Sequence, residues 1–152
     1  MVMLKEITED NFSECINLKV SEEQKTFVAS NVKSLAQAWL YPQNARPFSI
    51  YDGENMVGFL MVDIDFHWYG DKNTAYLWRL MIDEKYQGRG YGKAAAQLAV
   101  DYLKVNVNPD KIKTAFVPGN EGARKLYESL GFIVNGEVDD GEIVMELNLQ
   151  TE

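Results

Sequence analysis

Hydrophobic and polar positions along the first third of the chain alternate between the period of a strand and that of a helix. Val2–Ile7 has strand character, and a helical pattern follows it up to Leu18. Residues 21–41 are mostly helical by pattern, and a break near residues 29–31 predicts two short helices. The second helix ends before Pro42, because the residue that precedes a proline disfavours the helical conformation.

The middle of the chain predicts a hairpin, followed by a strand that enters a glycine-rich loop. Pro47–Tyr51 and Met56–Asp65 are strands joined by a tight Asp-Gly-Glu-Asn turn. Ala75–Ile82 is an apolar run of strand length. The helical pattern that follows the glycine-rich loop ends near residues 106–109.

The last third adds a strand, a helix and a final hairpin. Lys113–Val117 is a short strand, and the helix after it stops at Gly131, a residue type favoured just past a helix end. Phe132–Glu137 and Glu142–Leu149 form the hairpin. The predicted order, β-α-α-β-β-β-α-β-α-β-β, indicates an α/β protein with a mixed sheet and helices on both of its faces.

Length and charge narrow the class of protein. The 152 residues contain no repeat or linker, so we expect a single domain over residues 1–152. The net charge is −8 and no block of lysine or arginine occurs, which makes a nucleic acid an unsuitable partner. The same charge favours a small cationic substrate.

Two residue types exclude further chemistry. Cys15 is the only cysteine and His67 the only histidine, so neither a disulfide within the chain nor a cysteine-rich or multi-histidine metal site can form. We expect a reducing, cytoplasmic setting and no metal. The N-terminus lacks the apolar segment of a signal peptide, and no apolar run approaches the ~20 residues of a membrane span, so we expect no membrane association.

The loop Gln-Gly-Arg-Gly-Tyr-Gly at residues 87–92 carries the first chemical signal. It lies between a predicted strand and an alanine-rich helix, and its glycines allow a ligand to approach the backbone closely. Backbone N–H groups and the positive end of the helix dipole suit a phosphate or pyrophosphate there, and Arg89 and Lys93 add positive charge. The alternative is a glycine-rich turn without a ligand. A Walker A loop is excluded, because no Gly-Lys-Ser or Gly-Lys-Thr occurs.

A second motif follows about 30 residues later and changes the interpretation. Residues 120–127 read Asn-Glu-Gly-Ala-Arg-Lys-Leu-Tyr and precede Leu-Gly-Phe at residues 130–132. Together with the glycine-rich loop, this resembles the Gcn5-related N-acetyltransferase (GNAT) family. The matching positions are Gln87, Gly90 and Gly92 in the loop, and Asn120, Ala123, Leu126, Tyr127, Gly131 and Phe132 downstream.

The resemblance implies a fold, a cofactor and one branch of the family. The implied fold is a mostly antiparallel mixed sheet of six or seven strands, and the implied cofactor is acetyl-CoA. The stretch that begins at Arg79 and the tail that begins at Phe132 look like bacterial spermine/spermidine acetyltransferases. One position departs from that branch, since Trp78 stands where those enzymes often carry an acidic residue.

The resemblance also assigns roles to residues that pattern alone interprets differently. Tyr127 is a core residue by helical spacing, whereas the family implies a general acid that protonates the departing thiolate. Asn120 is a helix N-cap, a hydrogen-bond partner of the pantetheine arm, or both. Met81 and Ile82 end a predicted central strand, and the family implies that their backbone binds pantetheine as an added strand. The implied cofactor-binding residues are Met81, Ile82, Gln87, Gly88, Arg89, Gly90, Tyr91, Gly92, Lys93 and Asn120.

The sequence does not single out a general base. Asp63 and Asp65 share one face of a strand that is more often solvated, and Glu84 belongs to an exposed turn. His67 is more typical of a loop histidine, so an ordered water remains an alternative. An acyl-cysteine route is disfavoured, because Cys15 is far in sequence from both motifs.

The resemblance implies an acetyl-CoA-dependent N-acetyltransferase that acts on a polyamine-like amine by direct attack in a ternary complex. The alternatives are another small amine, an aminoglycoside-like antibiotic, a protein N-terminus, or a non-catalytic acyl-CoA sensor. The partner is a small-molecule amine, and a homodimer is expected. The predicted substrate residues are Glu22, Glu23, Asp65, Trp78 and Glu84.

Overall fold

A computed structural model describes residues 1–66 and 71–150 of the chain. In this part of the chain, strands and α-helices follow the predicted order. Their bounds are β1 (Val2–Glu6), α1 (Phe12–Asn17), α2 (Asn31–Leu40), β2 (Ala45–Asp52), β3 (Asn55–Phe66), β4 (Thr74–Ile82), α3 (Tyr91–Asn106), β5 (Lys111–Phe116), α4 (Glu121–Ser129), β6 (Ile133–Asp139) and β7 (Glu142–Asn148).

The strands form one seven-stranded sheet in the order β1-β2-β3-β4-β5-β7-β6. All neighbours are antiparallel except β4 and β5, which are parallel because α3 crosses over between them. Helices α1 and α2 cover one face, and α3 and α4 cover the other. This confirms the predicted α/β class, the mixed sheet and the helices on both faces.

Strand β3 has a core on each side of it. Leu60 and Val62 point into the cluster beneath α3 and α4, whereas Phe59 and Met61 point into the cluster beneath α1 and α2. All four side chains are fully buried. A strand buried on both faces is a near-continuous apolar run, which is how this segment appears in the sequence.

Strands β4 and β5 pair over a short distance and then separate. Their register covers only Thr74–Tyr76 against Lys111–Lys113, although β4 continues to Ile82. At the point of separation the Thr114 hydroxyl donates a hydrogen bond to the Leu77 carbonyl oxygen at 2.9 Å. Beyond it, the edge of β4 that faces β5 has no strand beside it in the described residues. We call this opening the fork.

The predicted helix over residues 21–29 is wrong. Only a single 3₁₀ turn, Glu22–Gln24, forms in that stretch. The Gln24 side chain accepts a hydrogen bond from the Ser21 N–H at 3.3 Å, a local capping contact that closes the turn. The backbone is also tied to another segment, because Lys19 N–H donates to the Asp83 carboxylate at 3.0 Å. These tertiary contacts replace the helix, and the predicted break before α2 is confirmed.

Candidate active site

The glycine-rich loop delivers free backbone N–H groups to the start of α3. Gly90 is the N-cap and has φ +84°, a left-handed conformation that glycine adopts without strain. The first intrahelical hydrogen bond is donated by Ala94 to the Gly90 carbonyl oxygen, at 3.1 Å. The N–H groups of the three residues between them therefore have no acceptor within the helix. With the helix dipole, they suit the pyrophosphate of acetyl-CoA.

The three glycines of the loop serve different purposes. A Cβ on Gly88 or Gly90 would meet nothing within 4 Å, and both residues have positive φ angles. A Cβ on Gly92 would lie 3.0 Å from Leu126 Cδ1, and its φ is ordinary. Gly92 is thus explained by the close packing of α3 on α4, a reason that the sequence did not indicate.

A cleft of about 910 Å³ extends from this loop along the fork to α4. Nine of the ten predicted cofactor residues line it; Arg89 does not. The Arg89 guanidinium lies over the Tyr86 ring, 5.6 Å from its centroid, and donates to the Lys85 carbonyl oxygen at 3.4 Å. Its contact with the cofactor stays a prediction.

The unpaired edge of β4 lies at the floor of the cleft. Met81 and Ile82 line the cleft there, as the added-strand mode of binding requires. The Gln87 amide donates to the Ile82 carbonyl oxygen at 2.9 Å. It also exchanges two hydrogen bonds with the Gln24 amide, at 2.9 and 3.0 Å. Gln87 therefore joins the glycine-rich loop to β4 and to the segment before α2.

Tyr91 and Asn120 fix the two helices that flank the cleft. The Tyr91 hydroxyl donates to Asp52 at 2.5 Å, which ties the start of α3 to the end of β2. That bond, together with the N-terminal ammonium, lowers the pKa of Asp52. The Asn120 side-chain oxygen accepts from the Ala123 N–H at 3.2 Å, so the predicted N-cap of α4 is confirmed. The Asn120 amide nitrogen takes no part in the cap and stays available to a ligand.

Tyr127 lines the inner end of the cleft. Its side chain is buried in the core under α4, with its ring 5.7 Å from that of Phe132. Burial raises the pKa of the Tyr127 hydroxyl; a hydrogen bond with the Thr114 side chain opposes that effect, and the nearby Glu142 carboxylate adds to it. The hydroxyl is therefore protonated at neutral pH, the state that a proton donor needs.

A second cavity, of about 460 Å³, meets the cleft; we call it the side chamber. It combines carboxylates with aromatic rings and is lined by Gln37, Tyr41, Asn44, Asp63, Phe66, Tyr76, Trp78, Arg79, Ala115, Asp139 and Glu142. Six of these residues also line the cleft and define the junction of the two cavities: Gln37, Trp78, Arg79, Ala115, Asp139 and Glu142.

Several residues of the junction carry no signal in the sequence. Asp139 and Glu142 belong to the final hairpin, where a turn rich in aspartate and glycine indicates only a tight connection. Arg79 is held in place, since its guanidinium donates to Gln37 Oε1 at 2.8 Å and to the Trp78 carbonyl oxygen at 3.2 Å. Only the pairing of β7 with β5 brings the hairpin beside β4.

The predicted substrate residues separate into two groups. Trp78 lies at the junction, whereas Glu22, Glu23, Asp65 and Glu84 are exposed and line neither cavity. Glu22 pairs with Lys25 at 2.6 Å, and Glu84 lies 3.9 Å from Lys19 Nζ. Their roles toward a substrate stay predictions.

The structure also shows where the candidate bases lie. Asp63, expected on a solvated face, is buried and lines the side chamber, whereas Asp65 on the same face of β3 is exposed. His67, with its neighbours Trp68 and Tyr69, lies outside the described residues. Cys15, for which the sequence disfavours an acyl-cysteine route, is buried in α1 and lines neither cavity.

A family model of the GNAT acetyltransferases matches residues 3–132. This chain belongs to that family. It is 31% identical over 147 residues to the spermine/spermidine N(1)-acetyltransferase of Bacillus subtilis strain 168, covering 95% of this chain and 96% of the relative. It is therefore an acetyl-CoA-dependent N-acetyltransferase, as the resemblance implied.

Two solved structures share the fold over nearly the whole chain. One is spermidine N-acetyltransferase from Vibrio cholerae in complex with CoA and spermine, with a TM-score of 0.76, 19% identity and coverage of 97% and 95%. The other is an aminoglycoside acetyltransferase in complex with coenzyme A, with a TM-score of 0.81, 17% identity and coverage of 98% and 95%. Both confirm the expected fold.

The described residues hold neither a membrane-spanning helix nor a cluster of metal-binding side chains. None of the helices in residues 1–66 and 71–150 is long and apolar enough to cross a membrane. Within the same residues, no three histidine, cysteine, aspartate or glutamate side chains are grouped to hold a metal ion.

Proposed function

We propose that this enzyme transfers the acetyl group of acetyl-CoA to a primary amine of a polyamine such as spermidine or spermine. The observation that carries the proposal is the side chamber. It is a second cavity that ends beside the cleft and combines Asp63, Asp139 and Glu142 with the rings of Tyr76 and Trp78. Ammonium groups on apolar spacers are recognised by this mixture of carboxylates and aromatic faces. The name of the Bacillus relative supports the same substrate class.

The two cavities support a proposal with one substrate in each of them. The cleft suits acetyl-CoA, with backbone N–H groups of α3 for its pyrophosphate and the open edge of β4 for its pantetheine arm. The side chamber suits the polyamine, whose reacting nitrogen reaches the thioester at the junction. Simultaneous binding supports direct attack in a ternary complex, since alignment of two bound reactants contributes several kcal/mol.

Tyr127 is the proposed general acid of this reaction. It lines the inner end of the cleft, and its hydroxyl is protonated at neutral pH. Departure of a thiolate is assisted when a neighbouring O–H donates a proton to the sulfur.

A panel of amines tests the substrate class. Purified enzyme and acetyl-CoA are incubated with spermidine, spermine, a monoamine of similar length, an aminoglycoside and a peptide with a free N-terminus, and release of free thiol is followed. Spermidine and spermine should have the highest kcat/KM. A higher value for the aminoglycoside or the peptide would move the acceptor to that class. Tight CoA binding by calorimetry without turnover of any amine would instead support a sensor.

A further inference from the structure

Glu142 occupies a distinctive place in the structure. It is the first residue of β7, is half-buried, and belongs to the six residues that line both the cleft and the side chamber. The side chain therefore lies at the junction, where the proposed function brings the amine and the thioester together.

The Glu142 carboxylate makes no hydrogen bond or ion pair with any residue in 1–66 and 71–150. Arg79 interacts with it electrostatically, but the terminal nitrogens of that guanidinium are already bound to Gln37 and to the Trp78 carbonyl oxygen. Half-burial without a hydrogen-bond donor leaves the carboxylate poorly solvated. A carboxylate in that situation gains from a donor that a ligand brings.

The groups that face Glu142 come from β4, from the end of β6 with the turn that follows it, and from α4. Burial raises the pKa of its carboxyl, Arg79 opposes the rise, and Asp139 and Asp140 add to it. The charged and titratable groups around it are Tyr76 and Arg79 on β4, Asp139 and Asp140 at the end of β6, and Tyr127 on α4. A carboxylate with a raised pKa is a stronger base than an ordinary one, which favours acceptance of a proton.

Glu142 and Tyr127 both line the cleft, and the Glu142 carboxylate adds to the raised pKa of the Tyr127 hydroxyl. Asp63 lines only the side chamber and Asp140 only the cleft, whereas Glu142 lines both cavities. A base and an acid that act on one reacting centre must reach the same cavity, and these two residues do.

We propose that Glu142 is the general base that removes a proton from the acceptor's ammonium group. This inference rests on the proposed amine acetyltransferase function and concerns the same site. The sequence did not identify a general base, and none of the candidates it suggested lies on the last strand.

Acetyl transfer in this step moves protons between the amine, Glu142, Tyr127 and the sulfur of CoA. Glu142 takes one proton from the ammonium, and the freed lone pair attacks the thioester carbonyl carbon of acetyl-CoA, the second substrate. A C–N bond forms, the C–S bond breaks, and the sulfur takes the proton of the Tyr127 hydroxyl. The acetylated nitrogen then returns one proton to the Tyr127 oxygen. One net proton remains on Glu142 and passes to water.

Glu142→Gln tests the assignment, with Glu146→Gln as the matched control. Glu146 follows on the same strand and lines neither cavity. Glu142→Gln should bind CoA in calorimetry as the unmodified enzyme does, yet lose roughly 10²–10⁴-fold in kcat with spermidine. Its pH profile of kcat/KM should lose the acid limb that reports Glu142, and the rate should instead rise with the fraction of free amine.

A weakly basic amine that is neutral at the assay pH separates a base from a purely structural residue. Because this acceptor needs no deprotonation, Glu142→Gln should acetylate it within a few-fold of the unmodified enzyme. An equal loss with both amines would overturn the assignment. A rise in the spermidine KM of Glu142→Gln at unchanged kcat would also overturn it, because that result is expected of a carboxylate that only binds the ammonium group.

Asp139 provides the second comparison within the junction. Asp139→Asn should raise the spermidine KM and retain the acid limb of the pH profile. If the limb vanished in Asp139→Asn and persisted in Glu142→Gln, the base would be Asp139 and the proposal would be wrong. Failure of the unmodified enzyme to use spermidine in the amine panel would refute only the polyamine class, because the same comparison runs on whichever amine is acetylated.

Discussion

Several residues of the site also hold the fold together. Asn120 caps α4, Tyr91 ties α3 to β2, and Thr114 closes the fork through a side-chain hydrogen bond. The Glu142 carboxylate and the Tyr127 hydroxyl are polar groups that folding moves out of water, which opposes the stability of the fold. Substitutions at the first three positions should therefore affect stability, and those at the last two should affect chemistry.

Tyr127→Phe tests the general acid. The change removes one oxygen from a buried ring, so kcat and kcat/KM should fall together by roughly 10²–10⁴-fold, while the KM for acetyl-CoA stays within about twofold. Tyr102→Phe is the control, because Tyr102 lies on α3 outside the cleft, with its ring against Phe48. Steady-state kinetics decide the matter: a Tyr127→Phe enzyme within about twofold of the unmodified one would make Tyr127 a core residue only.

Gly90→Val tests the cofactor loop. A β-branched residue at φ +84° costs about 1–2 kcal/mol and shifts the backbone whose N–H groups face the cleft. CoA affinity in calorimetry should therefore fall at least tenfold, which is about 1.4 kcal/mol. Gly136→Val carries the same strain at φ +88° in β6, away from the cleft, and should lose stability without losing affinity. Equal CoA affinity in both variants would refute the loop assignment.

The pH dependence of stability should reveal the environment of Glu142. Its pKa is raised in the folded protein, so the folded state binds more protons there than the unfolded state does. This contribution to stability is therefore greatest below the unfolded pKa and is lost as pH rises through the folded pKa. Thermal unfolding of Glu142→Gln at pH 8 should give a Tm equal to or above that of the unmodified enzyme, and the difference should shrink at pH 4. A large loss at pH 8 would show that the carboxylate stabilises the fold.

At the scale of elements, the site exists because two parallel strands separate. Crossover through α3 makes β4 and β5 parallel neighbours, and their pairing ends after three residue pairs. The backbone groups of β4 beyond that point line the cleft without a neighbouring strand in the described residues, and the side chamber shares the residues of the junction with it. In the proposed function, the two substrates meet at this junction.

Thr114→Val tests what holds the fork at its apex. Valine has nearly the same shape, but it leaves the buried Leu77 carbonyl oxygen without its 2.9 Å donor. An unsatisfied buried acceptor costs about 1–3 kcal/mol, and for a protein of this size each kcal/mol lowers the Tm by roughly 2–4 °C. Thr114→Ser keeps the hydroxyl and is the control. The Tm of Thr114→Val should be clearly below that of Thr114→Ser. The reverse order would show that this hydrogen bond does not stabilise the fold.

The sequence predicted the elements better than it predicted the site. Strand and helix periods are local, so the order of elements followed from them, and Asn120 could be recognised as a cap from its place before a helix. The wrong helix over residues 21–29 arose because contacts with Asp83 and Gln87 are not visible in a local pattern. Glu142 was missed for the same reason, since only the pairing of β7 with β5 brings it to the junction.

At the scale of the whole molecule, charge supports the same assignment. The net charge of −8 opposes long-range attraction of the anionic acetyl-CoA. At the start of α3, backbone N–H groups and Lys93 create a local positive potential, which suits an anion despite the negative net charge. The rest of the surface attracts a cation, which fits the polyamine proposed for the side chamber.

The salt dependence of the two KM values follows from this division of charge. A polyamine carries several ammonium groups, and screening of its attraction should raise the spermidine KM severalfold as the Debye length falls from about 30 Å at 0.01 M salt to about 3 Å at 1 M. A monoamine of similar length carries one charge and should respond far less. The KM for acetyl-CoA should stay level or fall, because the net protein charge repels it. If spermidine and the monoamine gave equal salt slopes, long-range attraction by the acidic surface would play no part in choosing the acceptor, and recognition would rest on the contacts of the side chamber alone.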